Sequence, residues 1–107
     1  MPTYHKLIRD RIPQIIEKSG KSYRTEILNA ERYEQELRLK LQEEMNEVLN
    51  ARSRVEILGE LADLVEVIHA FGDLYQLSPK EIEAQRQLKF EERGGFEKRI
   101  YLVDVED

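Results

Sequence analysis

Apolar residues recur at helical spacing in two long stretches in the middle of the chain. In residues 30–50 they follow one another at intervals of three or four: Leu37, Leu41, Met45 and Val48. This period is typical of an amphipathic helix, which we expect to begin after the N-cap residue Asn29. Residues 53–75 are apolar on more than one face. This pattern predicts a central helix that is contacted from several sides.

Shorter helices are predicted on either side of this pair. One includes Pro13, which fits the first turn of a helix, and it ends at Gly20. The other begins at the capping-box spacing of Ser78 and Glu81 and ends near Glu92, before two consecutive glycines.

The segments outside these helices are expected to be extended. Residues 1–8 carry no helical pattern, and residues 21–28 alternate in a strand-like way, with residues 99–105 as their best partner. We therefore predict an all-α, bundle-like subunit of four to five helices around a central antiparallel hairpin, with room for one short strand pair near the ends. The absence of repeats and linkers predicts a single domain over residues 1–107.

Composition narrows the functional classes. The chain has a formal net charge of −5, which makes it a poor candidate for binding nucleic-acid polymers through a general electrostatic footprint. It contains no cysteine, which excludes disulfides and thiolate zinc sites. No stretch has the pattern of a signal peptide or a membrane span. We expect a cytoplasmic protein without membrane partners, and the hydrophobic content of 40 % suits a subunit of an oligomer.

Two acidic pairs lie within the predicted hairpin. Glu44 and Glu47 are three residues apart on its first helix, and Glu60 and Asp63 are three residues apart on its second. Residues at this spacing project from one face of a helix. The short break near Ser53 makes the helices antiparallel neighbours, so the pairs lie at similar heights. Four converging carboxylates repel one another unless they bind a hard cation, for which Mg²⁺ is expected and Mn²⁺ is an alternative.

The alternative to a metal site is a solvated acidic face. Neither residues 42–47 nor residues 55–69 contain a lysine or arginine, and this lack of compensating charge favours the cation site. Histidine does not follow either pair at the spacing of di-iron bundle sites. His69 fits the edge of the core, and His5 has no evident partner.

Basic residues near both ends of the chain are candidates for binding phosphate. Three of them, Lys6, Arg9 and Arg11, form a basic cluster around Asp10. This cluster is explained either by contact with phosphate or by an ordinary solvated helix N-terminus. The backbone N–H groups of Gly94 and Gly95 are explained either as an anion-binding site or as part of a plain turn. The candidate residues are Lys6, Arg9, Arg11, Lys89, Arg93, Gly94 and Gly95.

The acidic pattern resembles a known signature. Residues 43–47 have the form EExxE and residues 60–63 the form ExxD, which is similar to the all-α nucleoside triphosphate pyrophosphohydrolases, including MazG-type enzymes and dimeric dUTPases. Residues 6–13 and 93–96 resemble the small single-domain, phosphoribosyl-ATP pyrophosphohydrolase-like branch of that superfamily. The glycine-rich tail is shared only loosely with the histidine-pathway enzymes, so phosphoribosyl-ATP itself is not predicted.

The resemblance implies a fold, a reaction and an assembly. It implies cleavage of a nucleoside triphosphate between the α and β phosphates, in a homodimer or homotetramer with substrate near a subunit interface. Glu43 or Glu47 is our candidate for the general base. The alternative is a non-catalytic helical module that binds nucleotide or metal; a calcium buffer ranks lower because no EF-hand loop is present. The residues implied to bind magnesium are Glu44, Glu47, Glu60 and Asp63.

Overall fold

The computed structural model describes residues 2–107, which form four helices and no strand. The helices are α1 (Ile12–Lys18), α2 (Ala30–Asn50), α3 (Arg54–Leu74) and α4 (Pro79–Arg93). The all-α, bundle-like prediction is confirmed. The segment before α1, residues 2–11, which we call the leader, has no regular secondary structure. The prediction of extended backbone at Met1 lies outside the described residues.

Polar side chains set the start of each long helix. The Asn29 side chain accepts a hydrogen bond from a first-turn backbone N–H of α2 at 2.9 Å. Ser53 does the same for the N–H of Glu56 in α3 at 3.1 Å. Ser78 and Glu81 form a reciprocal capping box at α4. Each cap satisfies an N–H that the first turn leaves without a partner, and is worth about 1 kcal/mol.

The central hairpin is made by α2 and α3, which residues 51–53 join. Leu37 of α2, only 2 % exposed, and Val67 of α3 are the buried hydrophobic residues of the described chain. One turn beyond Val67, the Phe71 ring lies under the Arg38 guanidinium at 4.9 Å. This packing fixes the two helices side by side, so that residues near the loop on each helix face one another.

The last helix, α4, meets the hairpin at the C-terminal end of α3, where Gly72 leaves room for it. A Cβ at Gly72 would lie 2.8 Å from Ile82 Cδ1 and 3.2 Å from the Leu77 carbonyl oxygen. The Leu77 N–H also donates to the Gly72 carbonyl at 2.9 Å. The close approach of α4 therefore depends on the absence of a side chain at this position.

The predicted strand pair is not formed in residues 2–107. Residues 21–28 and 99–105 have no ladder partner, and Ile27 is 98 % exposed. An isolated two-stranded pair is only marginally stable in water, because it has no packed face to support it. The alternating pattern alone was therefore insufficient to predict a strand here.

The described chain is elongated, with principal extents of 61 × 34 × 27 Å and a radius of gyration of 18.3 Å. A compact domain of about 100 residues has a radius of gyration near 13 Å. Large apolar side chains accordingly remain exposed on α3, on α4 and in the tail after α4. In the described part of the chain, no helix combines the length and apolar character that crossing a bilayer requires.

Candidate metal centre

Three carboxylates converge near the closed end of the hairpin, and we call them the acidic trio. One oxygen each of Glu44, Glu60 and Asp63 lies within 4.8 Å of the other two. Glu44 is buried, whereas Glu60 and Asp63 are half-buried. Oxygens that ligate one ion at about 2.1 Å are at most about 4.2 Å apart. Small side-chain rotations therefore suffice to bring all three oxygens onto one ion.

The electrostatics of Glu60 show that this cluster is crowded with negative charge. Desolvation raises the pKa of Glu60, and the nearby charges of Glu47 and Asp63 raise it further. A divalent cation at the trio would relieve this repulsion. The donors are carboxylate oxygens alone, without histidine or thiolate, which suits Mg²⁺ or Mn²⁺ better than zinc or iron. The residues present therefore fit a hard divalent ion.

We call residues 43–47 and residues 60–63 the two acidic blocks. The two acids of the first block that are not in the trio, Glu43 and Glu47, lie beside it. Glu47 is exposed and is not a member of the trio, but its charge reaches Glu60. Glu43 is engaged by two lysines, with its oxygens 3.4 Å from Lys40 Nζ and 3.9 Å from Lys6 Nζ. The structure thus brings together three of the four predicted metal ligands and places Glu47 next to them.

Positive charge also reaches the trio, although neither acidic block contains any. Arg9 Nη2 donates to Asp63 Oδ1 at 2.7 Å. Lys40 Nζ lies 3.6 Å from Glu44 Oε1. The expectation that the acids lack compensating charge was therefore wrong, because it considered only the residues within each block. The cations come from the preceding turn of α2 and from the leader.

Lys40 is absent from the predicted site residues, yet its side chain is only 17 % exposed and contacts two acids of the site. Its spacing of four residues from Glu44 predicts a helical ion pair, but such pairs are usually solvated and weak. The low exposure of its side chain is not contained in this local pattern.

The predicted phosphate-binding residues divide into two groups. Lys6 and Arg9 form ion pairs with Glu43 and Asp63, respectively. Among residues 2–107, no ion pair or hydrogen bond joins Lys89 or Arg93 to the trio. The Gly94 N–H donates to the Phe90 carbonyl at 2.7 Å and thereby ends α4. The structure thus favours the plain turn over an anion site at this glycine.

The remaining candidates, Arg11 and Gly95, make no contact with the trio that the structure records. Arg11 is exposed at the N-cap of α1, where its side chain makes no capping hydrogen bond. Gly95 packs beside the Phe90 ring, which a Cβ at this glycine would approach to 3.2 Å. Both positions are therefore explained locally by the ends of α1 and α4.

A family model described as phosphoribosyl-ATP pyrophosphohydrolase matches residues 1–89. The match includes the leader and both acidic blocks, and it ends within α4, before the exposed tail. Comparisons with curated proteins and with solved structures gave no match. The match covers most of the chain and contains every residue of the acidic trio. The protein therefore belongs to the phosphoribosyl-ATP pyrophosphohydrolase family, a group of nucleotide pyrophosphohydrolases within the MazG-like all-α superfamily.

Proposed function

We propose that the protein is a magnesium-dependent nucleotide pyrophosphohydrolase, formed by one domain over residues 1–107, that acts on nucleoside triphosphates in the cytoplasm. It would cleave the α–β phosphoanhydride to give a nucleoside monophosphate and pyrophosphate. The observation that carries this proposal is the convergence of Glu44, Glu60 and Asp63, which lie inside the part of the chain that matches the family. The raised pKa of Glu60 supports it, because it reflects the crowding of negative charge at this point.

The trio would hold Mg²⁺, with Mn²⁺ as a substitute. When bound, the ion would neutralise charge on the phosphate oxygens of the substrate. Buried Glu44 provides a fixed ligand, because Lys40 holds its side chain against α2. Glu60 and Asp63 face it from α3.

Glu47 is the better of the two candidates for the general base. Its carboxylate is beside the trio, and it forms no ion pair within residues 2–107. The oxygens of Glu43, by contrast, are engaged by Lys6 and Lys40 and are therefore less free to contact a water molecule. In the reaction, a water oxygen bonds to one phosphorus of the anhydride as the bridging oxygen leaves with the other, and Glu47 takes the proton of the water.

The exposed apolar surface supports association of copies of the chain into a dimer or tetramer. A stripe on α3 has intervals of three or four residues, which is the spacing of a helix-packing seam. Its members are Val55, Leu58, Leu61, Val65 and Ile68, all exposed in the subunit. We propose that a second copy covers this stripe. Light scattering coupled to gel filtration tests it: Leu58→Asp should yield monomers, and a wild-type monomer would refute it.

The direct test of function is pyrophosphate release from a panel of nucleoside triphosphates with Mg²⁺. Glu47→Gln should lower the rate by about 10²–10⁴-fold, the usual contribution of a general base. Asp63→Asn removes one proposed ligand and should raise the Mg²⁺ concentration needed for half-maximal activity. Glu66→Gln is the matched control, because this exposed acid lies on α3 one turn beyond Asp63 and makes no ion pair in residues 2–107.

Two outcomes would contradict the proposal. Nucleotide binding without turnover would support the non-catalytic alternative instead. Turnover that is unaffected by Glu47→Gln and Asp63→Asn, in variants that keep the wild-type circular dichroism spectrum, would place the chemistry elsewhere in the molecule.

A further inference from the structure

The leader has no regular secondary structure, yet two of its cations lie on acids of the candidate site. Arg9 Nη2 is 2.7 Å from Asp63 Oδ1, and Lys6 Nζ is 3.9 Å from Glu43 Oε1. These are the ion pairs that join the leader to the hairpin within residues 2–107. Both reach residues that are distant in sequence, so they attach the leader to the hairpin beside the trio.

The Arg9 guanidinium and a divalent ion at the trio would compete for the same negative charge. Asp63 belongs to the trio, so a divalent ion held by the trio would repel the guanidinium that contacts this carboxylate. The side chains of Arg9 and Asp63 are 56 % and 46 % exposed, so the pair is solvated and weak. A divalent ion held by three carboxylates has the larger charge and more partners, and the exchange therefore favours the ion.

Lys40 is less exposed than the leader cations Lys6 and Arg9, and it lies on a helix. Its side chain is 17 % exposed, and it is anchored to the same helix as Glu44. Arg9 and Lys6 are about half exposed and lie on a segment without helix or strand. Lys40 is therefore a permanent part of the site, whereas the leader cations can leave at little structural cost.

We propose that Arg9 is a counterion of the acidic trio, and that a divalent ion bound by the trio displaces it from Asp63 and loosens the attachment of the leader. Metal loading thus frees the Arg9 guanidinium to bind a phosphate of a nucleotide. The inference rests on the proposed function, because it takes the acidic trio as the metal site.

The affinity for Mn²⁺ alone, measured by isothermal titration calorimetry, tests the competition. Arg9→Gln should bind Mn²⁺ about two- to fivefold more tightly than wild type, which is the range that loss of a solvated ion pair allows. Arg9→Lys keeps the charge and should bind like wild type. Arg24→Gln is the net-charge control: this exposed residue makes no ion pair in the described chain, and its substitution should leave the affinity unchanged.

Limited trypsinolysis tests release of the leader. The rate of cleavage after Lys6 is compared with that after Lys21, an exposed site in the same chain that corrects for any effect of metal on the protease. Mn²⁺ should raise the ratio in wild type. Arg9→Gln and Asp63→Asn should show the raised ratio without metal, because each lacks one partner of the ion pair.

The outcomes separate this inference from the proposed function. If wild type binds Mn²⁺ but Arg9→Gln binds it equally or more weakly, or if Mn²⁺ protects the leader, the counterion role is refuted while the metal site stands. If wild type fails to bind Mn²⁺, both proposals are refuted.

Discussion

Two glycines of α3 provide a matched pair of substitutions with opposite expected effects. A Cβ at Gly59 would have no atom within 4 Å, whereas at Gly72 it would meet Ile82 and the Leu77 backbone. Alanine gains about 1 kcal/mol over glycine within a helix. We therefore expect Gly59→Ala to raise the free energy of unfolding by about 0.5–1 kcal/mol. The same gain at Gly72 is offset by overpacking, which costs about 1–3 kcal/mol.

The difference between the two variants isolates the contact between α3 and α4, because most of the helix-propensity gain cancels. Urea denaturation followed by circular dichroism should place Gly72→Ala about 1–3 kcal/mol below Gly59→Ala. The empty space around Gly59 excludes close packing against its own chain as the reason for a glycine at this position. Equal stability of the two variants, or Gly59→Ala as the less stable one, would refute this reasoning.

Two further substitutions probe the hairpin. Desolvation and neighbouring carboxylates raise the pKa of Glu60 in the folded protein, so its contribution to stability is present below its unfolded pKa and is lost as pH rises through the folded one. In EDTA, Glu60→Gln should therefore melt above wild type at neutral pH, with the gap closing on acidification, and an unchanged or lower neutral-pH melting temperature would contradict this. Leu37→Ala should cost about 2–5 kcal/mol in urea denaturation, whereas Leu39→Ala, at a 57 % exposed position of the same helix, should cost far less; equal losses would contradict the assigned core.

The helices were predictable because their signals are local. The N-caps Asn29 and Ser53 and the capping box of Ser78 lie where the structure starts its helices. The convergence of Glu44 with Glu60 and Asp63 followed from helical spacing and a short loop, which together determine height and face. These inferences needed no knowledge of which distant residues pack together.

The counterions and the strand pair depend on contacts that local patterns do not contain. Arg9 reaches Asp63 across 54 positions of sequence, and the leader that carries it has no periodicity. The alternation in residues 21–28 resembles a strand, but a strand needs a partner and a supporting face, and residues 2–107 supply neither. The low exposure of the Lys40 side chain is likewise not predicted by its spacing to Glu44.

The most direct measurement for the whole account is anomalous X-ray scattering from crystals of the protein soaked in Mn²⁺. We predict a manganese peak within bonding distance of carboxylate oxygens from Glu44, Glu60 and Asp63, with Arg9 displaced from Asp63. A peak held by other residues, or no peak at the trio while Mn²⁺ binds in solution, would contradict the assignment of this site as the metal centre.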